Sequence, residues 1–350
     1  MKINFDITID EFKKQLSTIK KEGKIAIWGA GRCATDFIRM LDGCNEFVAY
    51  YVDKSETKWN TKIGNVEVKS PADLFSDDSV NTIIIATMYF SNVVEELEEK
   101  GFSGSVYSAF HMVYREEQLN YRPLEEHIED VKKMLADNKS RDIVDYICQH
   151  RKSKDIDFSD IYEENQYFIK DIVRVNPNAF FVDAGAYHGE TIDQFIDFQG
   201  RRFNRVYSFE MDEKNYKKIK EKNYDERVKL LNYGLWDERT TCTYSSDDTC
   251  SSIGEEGDLT AQCITLDEVI GDGNVTFIKM DIEGAELKAL YGAEKCIKRC
   301  KPQLAICVYH KPEDIYEISN LIHKWLPEHQ LYIRHHSVTF TETVLYAVPQ

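Results

Sequence analysis

Three segments in the C-terminal half of the chain combine small and acidic residues in a way that could bind a ligand and act on it. In the segment 180–191 (FFVDAGAYHGET), an apolar run leads into a turn of small residues and then into a predicted helix. Gly185 and Gly189 carry no side chains, so a ligand can approach the backbone there, and the helix start offers free N–H groups. By itself this pattern predicts a ligand site without identifying the ligand.

The other two segments are apolar runs that end in carboxylates. The run 205–210 (RVYSFE) ends in Glu210, about one βαβ step after the turn, where a carboxylate can accept both hydroxyls of an unphosphorylated ribose. The run 277–286 (FIKMDIEGAE) is followed by acids that include Asp281 and Glu283. Ligands bind at the carboxyl edge of such sheets, so the three segments are expected to face one crevice.

Parallel strands must bring these segments together, and the apolar runs of the sequence supply them. Strands are predicted at 179–182, 205–209, 228–232, 275–280 and 304–308, and in the N-terminal part at 24–28, 47–52, 82–86 and 105–107. Helical patterns lie between most of them, as expected of a parallel sheet. The predicted fold class is therefore α/β, with two Rossmann-like domains whose parallel sheets are flanked by helices.

The chain length and a gap in the strand pattern predict the domain organisation. At 350 residues the chain exceeds the size at which one core usually stops growing. Strand signals disappear between about Tyr114 and Val175, where Ser140 is a suitable N-cap for an apolar helical pattern. The predicted parts are a nucleotide-binding-type domain at 1–113, a helical connector or lid at 114–175 and the domain with the three acidic segments at 176–350.

Taken together, the C-terminal motifs resemble the FkbM family of S-adenosylmethionine-dependent methyltransferases. The resemblance extends from about Asn165 to Ala347 and rests on the motifs DAGAYHGET (183–191), SFE (208–210), TLD (265–267), IKMDIEGAE (278–286), IRHH (333–336) and ETVLYA (342–347). It implies S-adenosyl-L-methionine as cofactor and a hydroxyl group of a small molecule, sugar or glycan as acceptor, with or without a linked nucleotide.

The resemblance also implies which residues contact the cofactor. The turn after the first strand would line the methionine end, Glu210 would bind the ribose, and residues 234–236 would border the adenine. After the third strand the wider class often has an acid, whereas this chain has Tyr233-Gly234-Leu235. The predicted cofactor-binding residues are Asp183, Gly185, Tyr187, Gly189, Glu190, Thr191, Glu210, Met211, Gly234, Leu235, Trp236 and Asp281.

Methyl transfer requires in-line positioning and removal of the acceptor's proton, so a general base is expected. The candidates are Asp281, Glu283 and His310, and the ordinary pKa of a histidine suits proton removal near neutral pH. Structural interpretations are also open. Glu283 could be an acid in the first turn of a helix, stabilised by its dipole, and His310 an ordinary loop histidine.

For two further pairs of residues, the sequence is compatible with either a functional or a structural role. Arg334 and His335 lie on a predicted strand and match the family pattern, so they are candidates for substrate contact, with strand packing as the alternative. Tyr167 and Phe168 precede the first strand of the second domain, where they either cap the cofactor pocket or belong to the core.

The N-terminal part contains a second glycine-rich turn. The segment 29–34 (GAGRCA) matches the dinucleotide fingerprint with Ala in third place, and Asp53 ends the next strand. This part, roughly 24–110, resembles the small Rossmann-like modules that precede acyltransferases of sugar nucleotides. We expect Gly29, Gly31 and Asp53 to bind a nucleotide or sugar nucleotide, and a retained fold without a ligand is the alternative.

Two other functions fit parts of the sequence. The N-terminal turn would also suit NAD, so an oxidoreductase is the main alternative enzyme, although no second half with its own catalytic pair is visible. A non-catalytic nucleotide-binding protein is the third hypothesis.

Composition limits the partners and the compartment. Acidic residues outnumber Lys and Arg by 61 to 44, giving a net charge of −17 that would repel nucleic acid and anionic membranes. The nine cysteines are scattered and never in Cys-x-x-Cys spacing, which argues against disulfides and a zinc site and fits a reducing cytoplasm. No metal ligand set and no membrane-spanning run is predicted, and homo-oligomerisation stays open.

Overall fold

The apolar runs of the sequence form the strands of mostly parallel sheets, with helices against them. The computed structural model describes residues 1–4, 7–43, 45–87, 89–113, 122–153, 157–246, 251–253 and 259–350. The chain divides into two units, unit 1 at Met1–Asn120 and unit 2 at Tyr121–Gln350. The start of the predicted connector, residue 114, lies outside the described residues.

Unit 1 is built on a seven-stranded sheet with the order β1-β7-β6-β2-β3-β5-β4. Its strands are β1 (Lys2–Asn4), β2 (Lys24–Trp28), β3 (Val48–Val52), β4 (Lys62–Ile63), β5 (Val66–Lys69), β6 (Val80–Ile85) and β7 (Ser105–Ser108). Its helices are α1 (Ile9–Glu22), α2 (Arg32–Met40), α3 (Pro71–Phe75) and α4 (Phe90–Glu99). All pairs are parallel except β4 with β5. The central strands are buried on both faces, which explains their continuous apolar sequences.

Sequence reasoning did not identify helix α1, whose composition is polar and mixed in charge. Its buried face consists of Ile9, Phe12 and Ile19, which recur at helical spacing. A capping box also marks its start, since Thr8 and Glu11 each accept the backbone N–H of the other. Both signals were present in the sequence.

Unit 2 contains a seven-stranded sheet with the order β10-β9-β8-β15-β16-β18-β17 and a four-stranded sheet with the order β11-β14-β12-β13. The strands are β8 (Phe180–Ala184), β9 (Arg205–Phe209), β10 (Val228–Leu231), β11 (Gly234–Leu235), β12 (Thr240–Ser246), β13 (Ser251–Ile253), β14 (Leu259–Ile264), β15 (Phe277–Met280), β16 (Gln303–Cys307), β17 (His329–His335) and β18 (Thr343–Pro349). The helices are α5 (Arg122–Met134), α6 (Asn138–Ser153), α7 (Glu190–Phe198), α8 (Glu213–Glu221), α9 (Leu266–Ile270), α10 (Glu286–Tyr291), α11 (Glu294–Cys300) and α12 (Asp314–Trp325).

The large sheet of unit 2 is parallel except for β18, which is antiparallel to both β16 and β17. The mixed α/β architecture predicted from the alternation of strand and helix patterns is confirmed. The small sheet was missed, because its Ser- and Thr-rich sequence near residue 245 resembles a loop. Part of that segment, 247–250 and 254–258, lies outside the described residues.

The helices predicted as a connector pack within unit 2. Leu135 pairs with Leu331 of β17 in an isolated bridge, and α6 packs against the same strand. Ser140 was expected to be the N-cap of this segment, and this was wrong. Helix α6 begins earlier, and Asp137 accepts the N–H of Ser140 at 2.8 Å as a cap does.

In the described part of the chain, no helix has both the length and the apolarity needed to cross a bilayer.

Candidate active site

A pocket of about 230 Å³ opens at the carboxyl edge of the large sheet of unit 2. The residues after β8, β9 and β15 line it, as expected for the three acidic segments. The predicted residues that line it are Gly185, Tyr187, Glu210, Met211, Gly234, Leu235, Asp281 and Glu283. The structure therefore brings these predicted residues together at one pocket.

Other predicted cofactor residues lie beside or beneath the pocket. Gly189 is the N-cap of α7, with φ of 83°, and Glu190 and Thr191 are the first residues of that helix. Trp236 donates its backbone N–H to Ile264 at 3.1 Å and is not part of the pocket lining. Asp183 is fully buried under the turn.

The adjacent backbone leaves no room for a side chain at Gly185, whether or not a ligand is bound. Its φ is 81°, and a Cβ atom there would lie 1.8 Å from the carbonyl oxygen of Asp281. Its N–H donates to the carbonyl of Phe209 at 3.0 Å. The expectation that Gly185 mainly leaves space for a ligand is therefore corrected: a side chain would first displace the strand end that carries Asp281.

Lys279, which sequence reasoning did not single out, lies under the same turn. Its Nζ atom is 3.3 Å from Asp183 and donates to the carbonyls of Ala184 and Gly185 at 3.1 and 2.6 Å. Burial alone would lower the pKa of Lys279, but the carboxylates of Asp183 and Asp281 raise it. The buried ammonium therefore stabilises the turn by binding its carbonyl oxygens and pairing with Asp183.

Glu210 fixes the turn to the end of β9. Its carboxylate accepts the backbone N–H groups of Tyr187 and Asp212, both at 2.8 Å. Burial raises its pKa to about 7, against the effect of these two hydrogen bonds. A carboxylate has about four acceptor positions, so Glu210 retains capacity toward a ligand.

Asp281 lies between the hydroxyls of two tyrosines. The hydroxyl of Tyr167 donates to one oxygen at 2.7 Å, and that of Tyr309, whose single proton has a nearer acceptor in Glu342, lies 3.5 Å from the other. Burial opposes ionisation, but Lys279 and His310 outweigh it and lower the pKa of Asp281. Asp281 is therefore an ionised and well-bound carboxylate.

His310 lies among three carboxylates, and its side chain is only 8% exposed. Its Nδ1 atom is 3.0 Å from Glu286, and Nε2 is 3.5 Å from Glu283 and 3.6 Å from Asp281. Burial lowers its pKa, but these carboxylates raise it to about 10. The expectation that His310 titrates near neutral pH and accepts the acceptor's proton is therefore wrong, since an imidazolium cannot act as a base.

Two pocket carboxylates, Glu283 and Glu342, have unusual backbones. Their φ angles are 56° and 66°, a region that non-glycine residues seldom occupy. Helix α10 begins at Glu286, so Glu283 precedes the helix and is not in its first turn. Burial raises the pKa of Glu283 to about 7, and burial together with Asp281 raises that of Glu342.

Glu342 was not among the predicted site residues, although it begins the ETVLYA motif. It accepts hydrogen bonds from Tyr309 at 3.1 Å and from Gln166 at 2.5 Å. Tyr167, next to Gln166, is buried and faces the site through its hydroxyl, while Phe168 belongs to the core. The motif was therefore a usable signal.

Arg334 and His335 are structural, so the prediction of substrate contact is corrected. Arg334 is paired with Asp137 at 2.6 Å and with Glu163 at 3.3 Å. His335 is fully buried, and its two nitrogens lie 2.8 Å from the hydroxyl of Thr343 and 2.6 Å from the carbonyl of Thr339. Both side chains are used in packing around β17.

Two sets of side chains among the described residues have the spacing of metal ligands. One is Asp281, Cys307 and Glu342, and the other is Asp281, Glu286 and His310. Burial raises the pKa of Cys307 well above its usual range, which disfavours the thiolate a metal would need. In the second set the carboxylates raise the pKa of His310 to about 10, which disfavours the neutral imidazole that a metal would need.

Unit 1 has its own cavity, of about 540 Å³, at the carboxyl edge of its sheet. Gly29 and Asp53 line it, together with the exposed Tyr89. The carboxylate of Asp53 accepts the N–H groups of Ala30 and Ser55, both at 2.9 Å. The predicted glycine-rich turn and acid therefore meet at one cavity.

One family model matches part of unit 2, and one solved structure matches nearly the whole chain. Residues 183–333 match the family model described as Methyltransferase FkbM domain. The structure of Methyltransferase FkbM from Methylobacillus flagellatus KT is 21% identical, has a TM-score of 0.64, and the alignment covers 95% of this chain and 92% of that one. This likeness concerns the fold. No curated protein matches the chain.

Two other solved structures match about half of the chain. An rRNA methylase from Streptococcus thermophilus is 17% identical, with a TM-score of 0.34 and coverage of 50% of this chain and 90% of that one. Aeropyrum pernix fibrillarin with natively bound S-adenosyl-L-methionine is 12% identical, with a TM-score of 0.31 and coverage of 50% and 67%. At these TM-scores the likeness carries no argument about function.

Proposed function

We propose that the chain is an S-adenosylmethionine-dependent O-methyltransferase, as the match of residues 183–333 to the family model described as Methyltransferase FkbM domain supports. Its acceptor is a hydroxyl group of a small molecule, sugar or glycan. The net charge of −17 supports an acceptor other than nucleic acid, because a phosphate backbone would be repelled.

The observation that supports this proposal most is that one pocket contains side chains suited to different parts of the cofactor. Glu210 lies on one side, where its remaining acceptor positions suit ribose hydroxyls. Asp281 and Glu342 line the same pocket, where carboxylates favour a cationic sulfonium. When bound, S-adenosylmethionine supplies an activated methyl group.

The apolar part of the pocket fits the remaining portion of such a cofactor. Met211, Tyr233 and Leu235 line the pocket beyond Glu210 and offer surface for an adenine ring. Gly234 belongs to the same lining, and a Cβ atom there would lie 2.9 Å from Cys263, so this strand is tightly packed behind the pocket. These residues would bind the adenine ring through complementary shape and not through charge.

Glu283 is the general base of the proposed mechanism. It lines the pocket, its pKa is raised to about 7 by burial, and a base works best when its pKa lies near the working pH. Asp281 is less basic, because Tyr167 and its cationic neighbours lower its pKa. The acceptor's hydroxyl proton therefore passes to a carboxylate oxygen of Glu283.

His310 and Glu286 are positioning residues in this mechanism. Glu286 is fully buried and accepts the N–H of Ile282 at 2.8 Å, so its carboxylate is fixed at the start of α10. It pairs with His310, whose other nitrogen faces Glu283 and Asp281. The imidazolium limits the rise in the pKa of Glu283 and keeps this base usable at neutral pH.

The test measures transfer of a labelled methyl group from S-adenosylmethionine to a panel of sugars, glycans and small hydroxyl compounds. The wild-type protein should give a methoxy product, and Glu283→Gln should lower kcat by about 10²- to 10⁴-fold while the Kd for S-adenosylmethionine changes little. Glu226→Gln, at an exposed position, is the matched control. Transfer to nitrogen or carbon, or full activity of Glu283→Gln, would contradict the proposal.

A further inference from the structure

The glycine-rich turns of the two units have the same hydrogen-bonded arrangement. In unit 1, Gly29 has φ of 107° and donates its N–H to Val52, the last residue of β3, at 2.7 Å. In unit 2, Gly185 makes the matching bond to Phe209, the last residue of β9. A Cβ atom on Gly29 would lie 2.5 Å from the carbonyl oxygen of Ala86, so each glycine is closed in by the backbone after a neighbouring strand.

The acid that follows the second strand accepts backbone N–H groups in the same way, and Asp53 is in addition paired with Nζ of Lys58 at 3.4 Å. Asp53 accepts one N–H from the turn, that of Ala30, and one from Ser55, two residues further along the chain. Glu210 likewise accepts one N–H from the turn and one from the residue two positions later. A carboxylate held at this strand end is placed to accept ribose hydroxyls in a parallel α/β sheet.

The two sites differ in the residues that surround this shared arrangement. In unit 2, Asp281 follows β15, the strand beside β8. In unit 1 the corresponding residue is Ala86, which follows β6, the strand beside β2, so the end of β6 lacks a carboxylate for proton transfer. The helix after the turn also differs. Helix α7 begins with acids, Glu190 and Asp193, whereas α2 begins with Arg32 and has no acid in its first turn.

The start of α2 can receive an anionic group, because a helix start offers free backbone N–H groups and this one has no acid in its first turn. Arg32 and Lys54 are paired with Asp36 at 3.5 Å and with Glu96 at 2.7 Å, and a Cβ atom on Gly31 meets no atom within 4 Å, so the approach is open. Tyr89, with 64% of its surface exposed, lines the cavity and offers a ring for stacking. The cavity volume of about 540 Å³ lies in the range of small-ligand pockets.

We propose that this cavity binds a ribonucleotide, with its ribose hydroxyls on Asp53 and its phosphate toward the start of α2. The cavity then serves binding and not catalysis. This inference does not depend on methyl transfer by unit 2, because every residue that carries it belongs to unit 1.

Calorimetry on the full chain with AMP and with UMP tests the proposal. At least one of the two should bind in a one-to-one complex, and the 2′,3′-dideoxy analogue of that nucleotide should bind about tenfold more weakly or worse. In Asp53→Asn the difference between the ribose and dideoxy forms should disappear. Equal binding of both forms to the wild type would overturn the role of Asp53.

A second variant tests the proposal independently in case Asp53→Asn does not fold. Gly31→Val adds a side chain in open space at a φ of −122°, so the fold tolerates it, yet it blocks the approach of the phosphate. It should weaken nucleotide binding about tenfold or more and leave the Kd for S-adenosylmethionine unchanged. Nucleotide binding that is unaffected by Gly31→Val, or that competes with S-adenosylmethionine, would overturn the proposal. So would a wild-type protein that binds S-adenosylmethionine but neither nucleotide.

If S-adenosylmethionine fails to bind while AMP or UMP binds as described, the function proposed for unit 2 fails and the inference about unit 1 stands. If S-adenosylmethionine binds but neither AMP nor UMP does, only the inference about unit 1 fails. The two accounts are therefore tested separately in the same experiment.

Discussion

The Nδ1 atom of His310 lies 3.0 Å from Oε1 of Glu286, a carboxylate that is fully buried. The contact joins the loop after β16 to the first residue of α10. Since the other imidazole nitrogen faces Glu283 and Asp281, the charge of His310 acts on two carboxylates that line the pocket.

The charge of His310 predicts a pH dependence of stability. The pKa is raised from 6.5 to about 10, so folding favours the protonated form. This contribution to the free energy of unfolding is complete below pH 6.5 and is lost as the pH rises through about 10. Denaturant unfolding of the wild type should therefore show stability falling over this window, and His310→Gln should show a smaller fall. His323→Gln, on an exposed helix position, should behave as the wild type.

The same charge should control the pH profile of activity. The pKa of Glu283 is about 7, so kcat/KM should rise as the pH increases through 7 and the base loses its proton. His310→Gln removes a cation that lowers this pKa, so the acidic limb should move to higher pH. A profile that keeps its midpoint in His310→Gln, while the protein remains folded, would argue against Glu283 as the base.

The buried pair of Lys279 and Asp183 predicts a strong effect on stability. Lys279→Met would leave a fully buried carboxylate without its cation, which costs about 3–5 kcal/mol of unfolding free energy. Adding Asp183→Asn should restore part of this loss, because the unpaired charge is then absent. Strictly additive effects in this double-mutant cycle would show that the two side chains do not interact.

Gly185 predicts a steric effect that can be separated from backbone strain. Gly185→Ala places a Cβ atom 1.8 Å from the carbonyl oxygen of Asp281, so unfolding free energy should fall well beyond the roughly 1–2 kcal/mol of a left-handed alanine. Gly200→Ala is the matched control, since Gly200 also has positive φ, 56°, but open space around it. Equal losses in thermal unfolding of the two variants would contradict the close approach.

The sequence predicted the sheet and the pocket because both depend on local signals. The apolar run that ends in Glu210 matched β9 residue for residue, and the turn at Gly185 was correctly placed at the pocket. Helix α1 and the small sheet of unit 2 were missed altogether, and other errors lay at the ends of elements. The start of α6 was set too late, because Asp137 and Ser140 are both good capping residues and only the fold selects between them.

The chemistry of His310 could not be predicted, because it depends on residues distant in the sequence. Its pKa reflects three carboxylates from the segment after β15, and no pattern within the loop at 310 indicates them. Arg334 failed as a substrate contact for the same reason, since Asp137 lies almost two hundred residues away in the chain. The role of Glu342 likewise needed the contact with Tyr309.

Binding of S-adenosylmethionine to the full chain, measured by calorimetry in the wild type and in Glu210→Gln, tests the proposed function most directly. The account predicts one site in the wild type and an affinity loss of about 1.5–3 kcal/mol in the variant, because a charged acceptor of hydrogen bonds is replaced by a neutral one. Thermal unfolding should confirm that Glu210→Gln is folded, and Glu226→Gln should bind as the wild type. A folded wild-type protein that does not bind S-adenosylmethionine, or one that binds it as tightly after Glu210→Gln, would contradict the account.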